Sequence, residues 1–293
     1  MKNLIIFKMK IKTLLLTAII AVMLTSCASN TFFQVYKVTP TDEIILKENN
    51  LVYEDNNCKI LYNLWDDGGN IGFMLKNKTE KNIYLNMEES YFVLNGIAHN
   101  YYQNRIFTNS INKGISASHS ATVSESMTGV NYINLIQSNR ISARNSVDIM
   151  DASGYSVSYN EEKIICIPAL TSKIISEYSI NQIPFRHCDL FQYPTSKKIK
   201  VVTFTKENSP LIFSNRITYT VEENNEPIKL ENEFYVTEIG NYPKSKIVDE
   251  KFDDYCGEKE ANSNSTLIES FNNFSPDKFY IKYTIGQTKW IKL

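Results

Sequence analysis

The chain has 293 residues, with 31 Lys and Arg against 32 Asp and Glu, three His and five Cys. A formal charge of −1 with lysines scattered along the chain excludes a nucleic-acid binder, which needs concentrated positive charge. Apolar residues at 43% exclude a disordered polymer, and the length permits one large domain or two small ones.

Lys2, Lys8, Lys10 and Lys12 open the chain, and an uncharged, mostly apolar run follows from Leu14 to Leu24. That run falls well short of the ~20 residues a spanning helix needs. Its basic flank is the pattern of a secretory leader, and Met9 offers an alternative start with Lys10 and Lys12 as its basic region. The run closes on Leu24-Thr25-Ser26-Cys27, which resembles the lipobox of bacterial lipoproteins. The resemblance implies a leader over 1–26, cleavage before Cys27, a thioether-linked diacylglycerol on that cysteine and a membrane anchor of acyl chains such as palmitate. Each buried methylene contributes roughly 0.8 kcal/mol, so two or more chains hold stably. The competing reading is an ordinary cleaved leader with a coincidental cysteine.

Removal of 1–26 leaves a mature part with a formal charge of −5. Ala28-Ser29 follows the cysteine. It provides neither the Asp that retains lipoproteins in the inner membrane of enteric bacteria nor the acidic run of a surface-export signal. The expected location is therefore the outer membrane facing the periplasm, with surface display as the second choice. Residues 27–31 form a brief lipidated linker.

From there the dominant pattern is period-two alternation in short runs rich in Ile, Val, Phe, Tyr and Thr. In chain order it predicts strands at 32–38, 51–54, 58–65, 70–76, 82–87, 90–94, 163–167, 173–179, 199–205, 211–221, 233–239 and 279–285. Asp66-Asp67-Gly68-Gly69-Asn70 marks a hairpin, and polar turns lie at 77–82 and 223–227. Residues 109–156, dense in Ser, Asn, Ala and Thr, read as a long polar insertion, disordered or functional, with a short helix near 138–150. Helical turns are expected at 249–256 and 266–273. Many short strands between polar turns predict an all-β, antiparallel, Ig-like sandwich over 32–240, with 241–293 a C-terminal β extension packed on it.

With Cys27 assigned to lipid, Cys58, Cys166, Cys188 and Cys256 remain, an even set that permits two disulfides in three connectivities. No CxxC occurs, and His99, His119 and His187 lie far apart, so no zinc site or other cofactor is expected. In His187-Cys188-Asp189 adjacent side chains would point to opposite faces of a strand, which argues against a His-activated thiol.

The segments Cys58–Trp65, Gly69–Thr79, Asn82–Leu85, Ser90–Gly96 and Ile165–Lys173 together resemble Ig-like sandwich domains of bacterial envelope lipoproteins. Asn208–Tyr219 and Phe234–Pro243 extend the similarity to uncharacterised Bacteroidetes lipoproteins. The resemblance implies a fold and brings no activity or binding residues with it.

Paired acids occur at Asp66-Asp67, Glu88-Glu89, Glu161-Glu162, Glu222-Glu223 and Asp253-Asp254, mostly in or beside polar turns where solvation explains them. Asp66–Asn70 could offer oxygens to calcium but lacks EF-hand spacing. Trp65, Tyr101 and Tyr102 are the candidate aromatics of a binding face, against the plainer reading that they are half-buried strand residues. Two functions stay open. One is a non-catalytic envelope module that binds a protein or glycan or supports an assembly. The other is a hydrolase whose site joins His99 or His187 to distant acids in a pocket.

Overall fold

The computed structural model describes residues 30–41, 43–111, 116–123, 141–148, 155–222, 225–252, 267–272 and 274–293. The described part begins with β1 (Thr31–Pro40). A meander of β2 (Ile44–Lys47), β3 (Asn50–Glu54), β4 (Cys58–Tyr62) and β5 (Phe73–Asn77) follows. The chain then crosses to β6 (Ile83–Leu94), which turns back through Asn95-Gly96 into β7 (Ile97–Asn100). Asn95 and Gly96 both have positive φ, 47° and 82°, as a two-residue hairpin turn demands.

Next come two nested antiparallel ribbons, β8 (Ile106–Ile111) with β11 (Tyr155–Asn160) and β9 (Ser116–Val123) with β10 (Ile141–Asp148). The chain returns through β12 (Ile164–Ile167), β13 (Ser172–Ile175), β14 (Phe185–Arg186) and β15 (Val201–Thr203) to the long pair β16 (Ile212–Val221) and β17 (Ile228–Pro243). A single helical turn, α1 (Lys244–Ile247), leads to the ribbon of β18 (Val248–Phe252) and β19 (Leu267–Phe271). β20 (Lys278–Thr284) and β21 (Ile291–Lys292) close the chain.

Two antiparallel sheets carry the fold, which is an all-β sandwich. The larger has eight strands, ordered β12-β6-β16-β17-β1-β20 with β7 on β6 and β15 on β17. The smaller has five, ordered β13-β5-β4-β3-β2. Because side chains alternate across a strand, one face of each sheet is free to be apolar. Tyr36 and Val38, Ile60 and Tyr62, and Phe213 and Ile217 meet in one buried core. Tyr62 from the small sheet meets Phe234 of the large one in a T-shaped pair with ring centroids 5.2 Å apart, and Tyr36 stacks on Phe279 at 4.4 Å. Such aromatic pairs add about 0.5–1.5 kcal/mol each beyond their burial.

Polar side chains inside the core tie elements together. Asn232 Nδ2 donates to Tyr62 Oη at 2.7 Å, crossing between the sheets. Tyr101 Oη donates to Asn215 Oδ1 at 2.6 Å, and Asn215 Nδ2 donates to the Ile71 carbonyl at 2.9 Å. Gln34, opposite Asn241 in the β1–β17 register, accepts from the Phe185 amide at 2.6 Å. Gln34 Nε2 donates to the Phe185 carbonyl and to Asn241 Oδ1, both at 2.8 Å. Tyr36 Oη donates to the same Gln34 oxygen. Together these bonds clamp the loop around Phe185 onto the end of the sandwich.

A second apolar cluster lies on the opposite face of β1 and β20, where Phe33, Trp65 and Tyr280 meet Ile247 and Val248. β20 is therefore an integral sheet strand with two apolar faces, paired with β1 from Thr31↔Thr284 to Lys37↔Lys278.

Three local expectations are corrected. Residues 109–156 were expected as a loop with a helix near 138–150, yet 106–111, 116–123, 141–148 and 155–160 are strands. A two-stranded ribbon is held by its backbone ladder and needs no apolar alternation to form. Residues 249–252 and 267–271 pair as strands instead of helical turns; Val248, Phe252, Leu267 and Phe271 supply β-favouring side chains. The third concerns disulfides. Cys58, Cys166 and Cys188 carry free thiols, Cys58 buried and the other two exposed, while Cys256 lies outside the described residues. Burial, with the negative charge of Asp55 beside it, pushes the Cys58 thiol up to about 12, so it behaves as an inert core residue.

Candidate functional site

The open edge of the sandwich, where β12 of one sheet gives way to β13 of the other, holds a cavity of about 470 Å³. Its floor is the core residues Met87, Tyr101, Ile165 and Ile175, and its wall is the foot of the β8–β11 ribbon with Phe107 and Tyr159. A sidestep in β6 lies next to Met87 on the floor of the cavity. The register between β6 and β16 shifts at Arg216/Thr218, where Ser90 Oγ takes the Thr218 amide at 3.1 Å. The Tyr102 amide then donates to the Met87 carbonyl at 3.2 Å, which leads the chain under the cavity.

Arg105 organises the rim. Its guanidinium pairs with Glu161 and with Glu177, bonding Glu161 Oε1 through Nε at 3.1 Å. Glu161 Oε2 also accepts the backbone amides of Gln103 at 2.9 Å and Arg105 at 3.0 Å. Burial alone would raise the Glu161 carboxyl, but the Arg105 guanidinium and the two amides outweigh it and hold it below the usual range. The hydrogen bonds that Arg105 donates to the Glu177 and Glu161 carboxylates push its guanidinium further up, so it stays charged at every accessible pH.

The sign of this linkage is definite. A carboxyl lowered by folding contributes stability above its unfolded value, and that contribution is lost as pH falls through the folded value. Arg105→Ala is expected to cost about 2 kcal/mol at pH 7, because Glu161 keeps its charge in a partly buried place without its partner. As pH falls through the lowered value of Glu161 in the folded wild type, the stability that its pairing with Arg105 contributes is lost, so the deficit of the variant should shrink in acid. Urea midpoints of both proteins between pH 4 and 8 would check this.

Around the clamp the surface is aromatic. Phe107 and Tyr159 stack at 5.2 Å, Arg105 lies 5.4 Å over the Phe107 ring, and Tyr159 is 53% exposed. Lys173 and Glu162 complete the rim. An apolar floor, a stacked ring pair and fixed charges suit a ligand with one flat face and several hydroxyl or amide groups.

The three aromatics expected at a binding face divide. Trp65 is 2% exposed and packs among Phe271, Phe274 and Tyr280, so it is a core residue of the second cluster. Tyr101 is 1% exposed and reaches the cavity only as its floor. Tyr102 alone is partly solvated, with its hydroxyl on Asn104 at 2.8 Å and Lys163 5.3 Å over its ring. Alternation carried the expected strand 58–65 through Trp65, whereas β4 ends at Tyr62, and it left Tyr101 outside any expected strand.

Neither histidine proposed for a hydrolase meets an acid in the cavity. His99 stacks on Phe92 at 5.8 Å, and His187 Nδ1 stands 3.7 Å from its near neighbour Asp189 on the surface. His119 falls on β9, where its side chain lies outside the described residues, as does Cys27. Asp66–Asn70 is a turn held by its own groups and by β20: Asp66 Oδ1 accepts the Asp67 amide at 2.8 Å, the Gly68 amide donates to the Tyr280 carbonyl at 2.7 Å, and Asp67 Oδ1 accepts the Lys282 amide at 3.1 Å. Among the described residues no three His, Cys, Asp or Glu gather as a metal site would require.

Arg105, Phe107, Tyr159, Glu161 and Glu177 come from three separated segments, and the signals in the sequence were the Tyr101-Tyr102 pair next to Gln103-Asn104-Arg105 and the Glu161-Glu162 pair, which solvation explained. Among known proteins the chain matches no family model, no curated protein and no solved structure.

Proposed function

We propose that this chain is a lipid-anchored cell-envelope protein of the Bacteroidetes type, held by acylated Cys27 to the outer membrane and facing the periplasm. It acts as a non-catalytic binding or structural module. Its ligand site is the cavity at the foot of the β8–β11 ribbon, and its partner is a protein segment or a glycan. The observation that carries this reading is the exposed Phe107–Tyr159 stack held beside the Arg105 clamp over an apolar floor. Exposed aromatics braced by ion pairs are rigid before a ligand arrives, which lowers the ordering cost of binding.

A pull-down of the lipidated protein from its own envelope, compared with a Tyr159→Ala variant, tests this. The wild type should retain a partner that the variant loses, since an aromatic anchor at such a site carries about 2 kcal/mol or more. Equal retention by both proteins would remove the cavity from the account.

A further inference from the structure

The strand that leaves the linker enters the sandwich at one end, and that end carries a surface unlike the rest. Thr31 pairs with Thr284, and the Ile285 amide donates to the Asn30 carbonyl at 3.1 Å. β21 runs parallel to β14, with the Leu293 amide on the Arg186 carbonyl at 3.0 Å. Tyr193 packs on Phe32 at 5.3 Å, and Trp290 meets the edge of Tyr283 at 5.1 Å with its indole N–H on the Gln287 carbonyl. Apolar side chains project outward here: Ile285 is 56% exposed, Leu293 46% and Phe191 42%.

The charge is equally one-sided. Residues 181–200 and 282–293 hold seven Lys and Arg against one acid of their own, Asp189, with Asp67 of the 66–70 turn beside them where it accepts the Lys282 amide at 3.1 Å. Arg186, Lys200, Lys282, Lys289 and Lys292 are exposed, and among the described residues none of these cations is ion-paired. Lys200 lies 5.2 Å over the Phe191 ring.

We infer that this end of the sandwich is a second membrane contact, which lays Ile285, Trp290 and Leu293 into the headgroup region of a leaflet rich in anionic phospholipid. Tryptophan and tyrosine with one wet end favour that depth, and lysines beside them gain about 1 kcal/mol each from an anionic surface. The tether fits. Four residue steps separate Cys27 from Thr31, a reach of about 14 Å at most, so an acylated Cys27 holds this end, and no other, against the bilayer. The inference rests on the lipid-anchor reading for its geometry, but the surface has an affinity of its own that needs no acyl chain.

The test uses the mature chain from Ala28 onward, without lipid, and sedimentation with phosphatidylglycerol-containing vesicles. Binding should be clear at low salt, weak at 0.5 M salt and absent on pure phosphatidylcholine. The paired substitution Lys289→Gln and Lys292→Gln, on exposed side chains, should weaken it about 30-fold with an unchanged circular dichroism spectrum. Trp290 should be quenched by lipids brominated near the headgroup, while buried Trp65 is not, and Trp290→Phe should remove that quenching. No binding, or equal binding to both vesicle types, overturns the proposal. Acyl labelling of Cys27 is a separate measurement. Failure there with vesicle binding intact would overturn the anchor and leave this surface standing.

Discussion

Gln34→Leu is expected to lower unfolding stability by about 4 kcal/mol, although leucine is nearly the same size and the site is fully buried. The side chain sits fully buried between the Phe185 backbone, Asn241 and Tyr36, and it satisfies four of their polar atoms at once. Leucine satisfies none, and each orphaned buried group costs about 1–3 kcal/mol, part of which the structure recovers by relaxing. The loss should also be local. The Phe185 amide, now protected by Gln34, should exchange its hydrogen faster than amides in β16, and the loop from 179 to 193 should become the first point of proteolysis. An unchanged urea midpoint would mean that water replaces Gln34 without cost.

Trp65→Ala should be the next most damaging change, at about 3–5 kcal/mol, the usual range for emptying a buried aromatic site. Trp65 is the hinge of the second cluster, where its indole contacts the rings of Phe271, Phe274 and Tyr280. Through Phe271 the indole helps to fasten the β18–β19 ribbon to the outer face of β1 and β20, beside the contacts of Phe271 with Phe33 and Tyr280. The expected signature is a thermal midpoint lower by roughly 10 °C, with early cleavage within 248–271. Trp65→Phe should keep most of the stability. Retention of the wild-type midpoint by Trp65→Ala would show that the ribbon is held elsewhere.

How much of this was legible depends on which physical signal each element leaves. Apolar residues that recur every second position announce a strand, and β1, β4, β16 and β20 fall where Val, Ile, Phe and Tyr do so. β7 was missed although Asn95-Gly96 is a strong hairpin signal, because Ile97–Asn100 has no buried face to produce alternation. β2 was missed for a similar reason. Only Ile44 of its four residues is buried, and its turn uses Glu48 and Asn49 at positive φ without a glycine. The ribbons of the insertion carry serine, asparagine and alanine, whose backbones pair as well as any others.

In the turn at 66–70 the glycines were read correctly, and the reason is steric. Gly69 has φ +74°, and a Cβ there would stand 2.8 Å from both Ile180 and Phe279. The candidate site was largely hidden. Its rim is assembled from residues 105–107, 159–162 and 173–177, which are brought together only when the ribbon closes and β13 joins the smaller sheet. The sequence spacing of Arg105, Glu161 and Glu177 bears no motif, since their register follows from a ribbon of about fifty residues. The even cysteine count was a weaker guide than it looked, since Cys58 fills a core position and Cys58, Cys166 and Cys188 carry free thiols.

The account turns on acylation at residue 27, and metabolic labelling with a clickable fatty-acid analogue tests it most directly. The mature product should carry the label, begin at Cys27 and sediment with membranes, whereas Cys27→Ala should be unlabelled and should yield no mature product starting at that residue. An unlabelled mature chain, or one whose first residue lies elsewhere, would contradict it.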